Sequence, residues 1–185
     1  MQGIVDWAGR MKQMAEFVGL TESDLELIQS TAAVLVPHAE ALTAAIYDHF
    51  LLFPETRKFF LREDGEVDQD RITRRKHSLK RWLENTIQYQ VDGDFPVFLL
   101  TAALVHSHPP SHRAHLGSVP SRFMVGTISF VQTAIAQLLF QEMDDPKKAM
   151  MASLAWSKLL MVQLDILLAG YVDEVPIQPR SQQEA

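Results

Sequence analysis

Apolar residues recur at three- and four-residue intervals in every long segment of this chain, and the breakers fall between those segments. That periodicity predicts helices and no sheet. Ile4, Trp7, Met11, Met14 and Ala15 share one face of a first amphipathic helix that ends near Gly19. Thr21, with Asp24 three positions on, supplies an N-terminal cap for a second helix carrying Leu25, Leu27, Ile28 and Ala32. Pro37 suits the first turn of a helix and predicts a start there; Ala41, Leu42, Ala45, Ile46 and Phe50 follow before Pro54 ends the element. A short helix over residues 54–61 leads into the polar loop Arg62-Glu63-Asp64-Gly65-Glu66. A helix over residues 67–89 then places Ile72, Leu79, Trp82, Leu83 and Thr86 on one stripe. The apolar run from Phe95 to His106 makes the next helix. It stops soon after His106, because Pro109 and Pro110 lack backbone donors and push the residues before them out of the α region. Beyond an irregular stretch, residues 107–118, two long helices over about residues 119–141 and 146–171 finish the fold. The expected organisation is one all-α domain over residues 1–174 and a disordered tail or linker over residues 175–185.

The chain has 185 residues, 47% of them hydrophobic, which is ample for one domain with a core of normal size. A net charge of −6 argues against a nucleic-acid surface. One basic cluster, Arg71, Arg74, Arg75, Lys76, Lys80 and Arg81, runs against that balance and reads as a solvated helix face for all but Arg75. Cysteine is absent, so there is no disulfide framework, thiolate nucleophile, cysteine-based zinc site or iron–sulfur cluster. The N-terminal segment carries Asp6, Arg10, Lys12 and Glu16 in place of the apolar core of a secretory signal, and no segment offers about twenty uninterrupted apolar residues. A soluble cytoplasmic protein, with no membrane partner, is therefore expected. The last two helices are apolar over more of their circumference than one monomer's core needs, and pairing across a homodimer interface is expected of them.

His106 is the first candidate for chemistry. An imidazole at the end of a rigid apolar helix can be an axial metal ligand, and equally can cap its own helix or sit satisfied in a core. A zinc site from His106, His108, His112 and His115 is conceivable, but the spacing matches no closed tetrahedral set and the loop pre-organises it poorly. A hydrolytic triad finds no Gly-x-Ser-x-Gly elbow and no strand to carry one. A haem pocket needs a proximal imidazole, a polar distal group and large apolar side chains around the macrocycle, and this chain has all three. Tyr47, beside Ile46 and Phe50, could donate a hydrogen bond to bound dioxygen; alone it reads as well as a core tyrosine paired to backbone.

In order and spacing, six segments resemble the protoglobins and the sensor globins of globin-coupled sensors. They are Ile46-Tyr47-Asp48-His49-Phe50; Phe59-Phe60; Lys80-Arg81-Trp82-Leu83-Glu84-Asn85-Thr86; Leu104-Val105-His106; Ser118-Val119-Pro120-Ser121-Arg122-Phe123; and Ala155-Trp156-Ser157-Lys158. The likeness covers about residues 21–171. It implies a globin-like fold with an extra N-terminal helix, and haem b with its iron held by His106. Leu104, Ala103 or Ser107 would then accept the other ring proton. It also implies Tyr47 on the distal side with Phe60, a distal helix face of Ile72, Arg75 and Leu79, and Phe123 with Met124 or Val125 from the following long helix. Arg75 could reach a haem propionate or the bound ligand, or leave the pocket for solvent, and His77 and Arg75 are the candidates for approach to the iron in the unliganded state. The function implied is binding of a diatomic gas (O2, CO or NO), as a sensor domain rather than an enzyme. A stand-alone protoglobin and a haem-free globin-fold interaction module are the alternatives. Three departures stand out: Arg75 on a face that is apolar in protoglobins, Ile46 where they carry tryptophan, and a shorter stretch between His106 and Pro120 that contains Pro109-Pro110.

Overall fold

The computed structural model describes residues 6–88 and 94–172, and over these it is helical with no strand. Ile4, Tyr89 and the tail from Val175 lie outside the described residues. Eight α-helices are described: α1 (Trp7–Phe17), α2 (Glu22–Ser30), α3 (Ala32–Leu52), α4 (Pro54–Arg57), α5 (Gln69–Gln88), α6 (Phe95–Ser107), α7 (Ser121–Glu142) and α8 (Pro146–Ala169). Two 3₁₀ segments, Lys58–Phe60 and Ser111–Leu116, stand between them.

Local chemistry sets most of the boundaries. Asp6 caps α1 by accepting from the Gly9 amide at 2.8 Å. The Thr21–Asp24 pair closes a reciprocal capping box, with the Thr21 amide donating to Asp24 Oδ2 at 2.8 Å and the Asp24 amide to Thr21 Oγ1 at 3.3 Å. Pro37 does not open a helix: α3 begins at Ala32 and carries the proline inside it. Only the bond that residue 37 would have donated to residue 33 is forgone, and the buried Leu35 and Ala39 hold the flanking turns in the core. Ala32 accordingly belongs to α3 rather than to α2. The polar loop at residues 62–66 is pinched by an antiparallel bridge between Leu61 and Val67, so α5 starts at Gln69 rather than at Val67. The stretch after His106 is not wholly irregular, because Ser111–Leu116 winds into a 3₁₀ segment.

α8 is the central helix. Ala149, Ala152 and Ala155 let its neighbours approach closely, while Trp156, Leu159, Leu160, Val162 and Ile166 fill the space between them. It packs against α7, α6, α1 and α2; α3 packs against α5 and α7. α7 therefore joins two groups of helices, and the cavity described below lies between them. Polar side chains fix the register of α8. Gln163 Oε1 accepts from Trp82 Nε1 at 2.8 Å while its amide donates to Thr86 Oγ1 at 3.3 Å, and Gln163 and Thr86 are fully buried. Trp156 Nε1 donates to Thr31 Oγ1 at 3.1 Å, Arg10 pairs with Asp165 at 2.7 Å, and Lys158 with Asp24 at 2.8 Å.

By length and composition alone, α7 and α8 are each apolar enough to cross a membrane. In α8 half of the apolar window is buried in the core, whereas in α7 the figure is 22%. Val125 and Phe140 on α7, with Met150, Met151 and Leu154 on α8, are left exposed.

Candidate functional site

The C-terminal turn of α6 places His106 at the wall of a cavity between the two helix groups. His106 Nδ1 lies 2.5 Å from the carbonyl oxygen of Ala102, one turn back. A carbonyl can only accept, so Nδ1 carries the proton and Nε2 keeps its lone pair. Burial pushes the His106 pKa down; the Ala102 hydrogen bond opposes this, and the Arg75 charge adds to it. The ring is thus a neutral imidazole with one free acceptor, the state in which histidine binds a metal. The accepting carbonyl is that of Ala102, not a group on Ala103, Leu104 or Ser107. Ser107 turns the other way and donates to the carbonyl of Gly170 at 2.6 Å, tying α6 to the end of α8.

α3 brings Tyr47 to the same cavity. Its ring is buried edge-on against Phe50 and Phe60, with centroids 5.7 and 5.6 Å away. Phe50 and Phe60 in turn stack nearly parallel, 6.2 Å apart. The phenol hydroxyl makes no hydrogen bond to any described residue. Burial pushes its pKa up to about 12, against a smaller opposing pull from Arg75, so it remains a donor.

The remaining walls are mostly apolar: Phe98, Leu99, Ala102 and Val105 from α6, Phe123, Met124, Ile128 and Val131 from α7, and Leu167 from α8. The centres of water-sized molecules can occupy about 250 Å³ of the cavity. From α5 come Arg71, Arg75, Ser78, Leu79 and Trp82, which follow helical spacing. Two other expected site residues do not line the cavity. Ile72 is buried, but it sits on the flank of the α5 stripe, roughly 80° around the helix from its centre. Val125 is 46% exposed, roughly 130° away from the lining face of α7, and Met124 takes the lining position instead. His77 is exposed on the outer side of α5.

Sequence reasoning missed two cationic residues of the site. Arg71 is not on a solvated face. It lines the cavity, pairs with Asp68 at 3.3 Å and donates to the carbonyls of Phe59 and Leu61. Arg113, from the 3₁₀ segment, lines the same cavity, near enough to Arg71 and Arg75 for their charges to act on it. The spacing of Arg71 from Arg75 is one helical turn and could have signalled the first; nothing in a proline-bearing loop could have signalled the second. Of the loop histidines, His108 and His115 are exposed. No group of three potential metal ligands forms among the described residues.

Three solved structures of two globin domains share this architecture. The globin domain of the Geobacter sulfurreducens globin-coupled sensor aligns with a TM-score of 0.68 at 19% identity, covering 87% of this chain and 97% of its own. That of E. coli DosC aligns at 0.65 and 14% in its ferric form I, over 87% of this chain and 99% of the other. The ferrous form II gives 0.62 and 15%, over 89% and 96%. At such identities the likeness shows the fold, which is that of a globin. No curated protein matches the sequence. The family model described as Protoglobin matches residues 8–175, nearly the whole length of the chain. On that match, with the globin fold beneath it, the chain is a member of the protoglobin family.

Proposed function

We propose that this chain is a cytoplasmic, haem-binding globin domain that takes up a diatomic gas, and that it serves as a sensor domain of the globin-coupled type. The observation that carries the reading is the placement of His106 and Tyr47 on one largely apolar cavity, His106 with its Nδ1 proton already committed to Ala102. The donor set fits b-type haem: one neutral imidazole to hold the iron, apolar walls for the macrocycle, and cationic residues for its carboxylates. Bound there, haem would supply an iron atom with an open coordination position for O2, CO or NO.

The protein's own residues would do the rest. His106 presents Nε2 from a helix end that the proline pair keeps short. Tyr47 holds a proton that can be donated to a polar ligand, and its aromatic neighbours keep water from competing for it. Phe60, Leu79 and Phe123 pack against the bound group. The sensor reading is favoured by the exposed apolar residues of α7 and α8, which suit pairing of two copies through the last two helices. One of the similar structures is the globin domain of a globin-coupled sensor, which points the same way.

An absorption spectrum of the purified protein, with and without carbon monoxide, tests the haem reading. A Soret band that shifts with carbon monoxide in the wild type and is lost in His106→Ala is the expected result. A normal haem spectrum in the alanine variant would remove the axial assignment. Sedimentation tests the pairing: the haem-loaded protein should be a dimer that Phe140→Glu with Leu154→Glu dissociates.

A further inference from the structure

The cavity wall includes three arginines, Arg71, Arg75 and Arg113, and no aspartate or glutamate. Their situations differ. Arg71 already has the Asp68 carboxylate as an ion-pair partner and two carbonyls on Nη1, although its buried Nε–H makes no hydrogen bond. Arg75 and Arg113 have no side-chain hydrogen bond or ion pair among the described residues, and the Nε–H of Arg113 is buried without a partner. Leaving a guanidinium donor out of water and unpaired is costly. Burial most of all, and then the charges of Arg75, Arg71 and Arg74, push the Arg113 pKa down, while Asp68 opposes them. A cluster of this kind is relieved by an anion.

The two unpaired cations come from separate elements. Arg75 projects from α5 and its charge acts on both Tyr47 and His106. Arg113 is held by the loop after α6, where its amide donates to the Pro110 carbonyl at 2.7 Å and Gly117, at φ +71, turns the chain back. The loop is closed at its base by the Val119 amide donating to the carbonyl of His106 at 2.9 Å.

We propose that Arg75 and Arg113, from separate elements, together form a clamp for the carboxylates of the cavity's ligand, the haem propionates, with the Arg113 loop as its outer lip. Guanidinium matches carboxylate in geometry and charge, and such pairs are strongest where water is partly excluded. The inference rests on the haem reading and goes further by assigning the propionate contacts to these two side chains.

The test is the rate of haem transfer from the full chain to excess apomyoglobin, followed at the Soret band, for wild type, Arg113→Ala, Arg113→Lys and Arg75→Ala. Each protein is loaded with haem or with haem dimethyl ester, whose carboxylates are blocked. Alanine at either position should speed loss of haem by about ten-fold or more, with lysine at position 113 in between. The ester should leave the wild type at least as fast as haem leaves Arg113→Ala, and the substitutions should not change its rate. The ester arm uses the wild-type chain, so it stands even if a variant folds poorly. Equal retention of haem and ester by the wild type, or a loss rate unmoved by Arg113→Ala, overturns the clamp while leaving the haem site intact. A wild type that takes up no haem overturns both.

Discussion

Tyr47 is a residue whose environment sets its chemistry. With its phenol pKa raised to about 12, it stays protonated across neutral pH and acts only as a donor. Tyr47→Phe keeps the ring contacts with Phe50 and Phe60 and removes the donor alone. A hydrogen bond on the order of 1 kcal/mol then predicts a roughly five- to ten-fold faster dioxygen off-rate, read by stopped-flow mixing. Gln163 shows the opposite case, a buried polar side chain with both ends satisfied. Gln163→Leu strands the Trp82 indole N–H, while the Thr86 hydroxyl keeps its bond to the Trp82 carbonyl, and about 1–3 kcal/mol of stability should be lost in urea denaturation. That His106 and Tyr47 line one cavity was legible only from the ordered set of segments around them, since each alone reads as well as a satisfied core residue. Ile72 and Val125 were misplaced because periodicity gives a face only to within one residue, and the cavity takes a narrower stripe than the core does. Arg113 was illegible, since the direction of a loop side chain depends on the whole path of the loop.

At the scale of elements, the contact between α6 and the end of α8 bears most directly on the site. A Cβ at Gly170 would lie 2.7 Å from Ala103 Cβ and 3.3 Å from backbone atoms of Ala103 and Leu104. Backbone cannot give way as a flexible side chain can. Gly170→Ala should therefore cost about 1–3 kcal/mol and tilt α6, shifting the haem spectrum through His106. Ala103→Gly in the same chain should recover part of both, which a double-mutant cycle in urea would measure. The sequence disclosed the Thr21–Asp24 cap because its geometry is local. It misled at Pro37, because the burial of Leu35 and Ala39, which extends α3 through the proline, is a tertiary effect that no local rule contains.

Across the whole molecule, α8 is bound to separate helices by charge as well as by packing, and one of these links makes stability depend on pH. Burial raises the Asp24 pKa, but hydrogen bonds from Lys158 and from the Thr21 amide and hydroxyl, with the Lys158 charge, outweigh it and leave the pKa lowered. The sign follows directly. A depressed carboxylate contributes its stabilisation above its ordinary pKa, near 4, and loses it as the pH falls through the folded-state value. Between about pH 5 and pH 3 the wild type should lose stability more steeply than Asp24→Asn, seen in thermal midpoints measured at each pH. The all-helical class and the single core were legible from composition and period; the cavity was not, because it is made by residues from six separate segments.

The bond from the Val119 amide to the His106 carbonyl makes the intervening loop a closed side-branch of the fold. Its two feet are fixed, so its length and contents can vary at little cost to either helix, since closing a longer loop adds only about 0.6 kcal/mol per doubling. The outer lip of the cavity is in this sense an exchangeable part. Descendants of one ancestral sequence could refit it, altering what the pocket retains, while the imidazole beneath it stayed where it was.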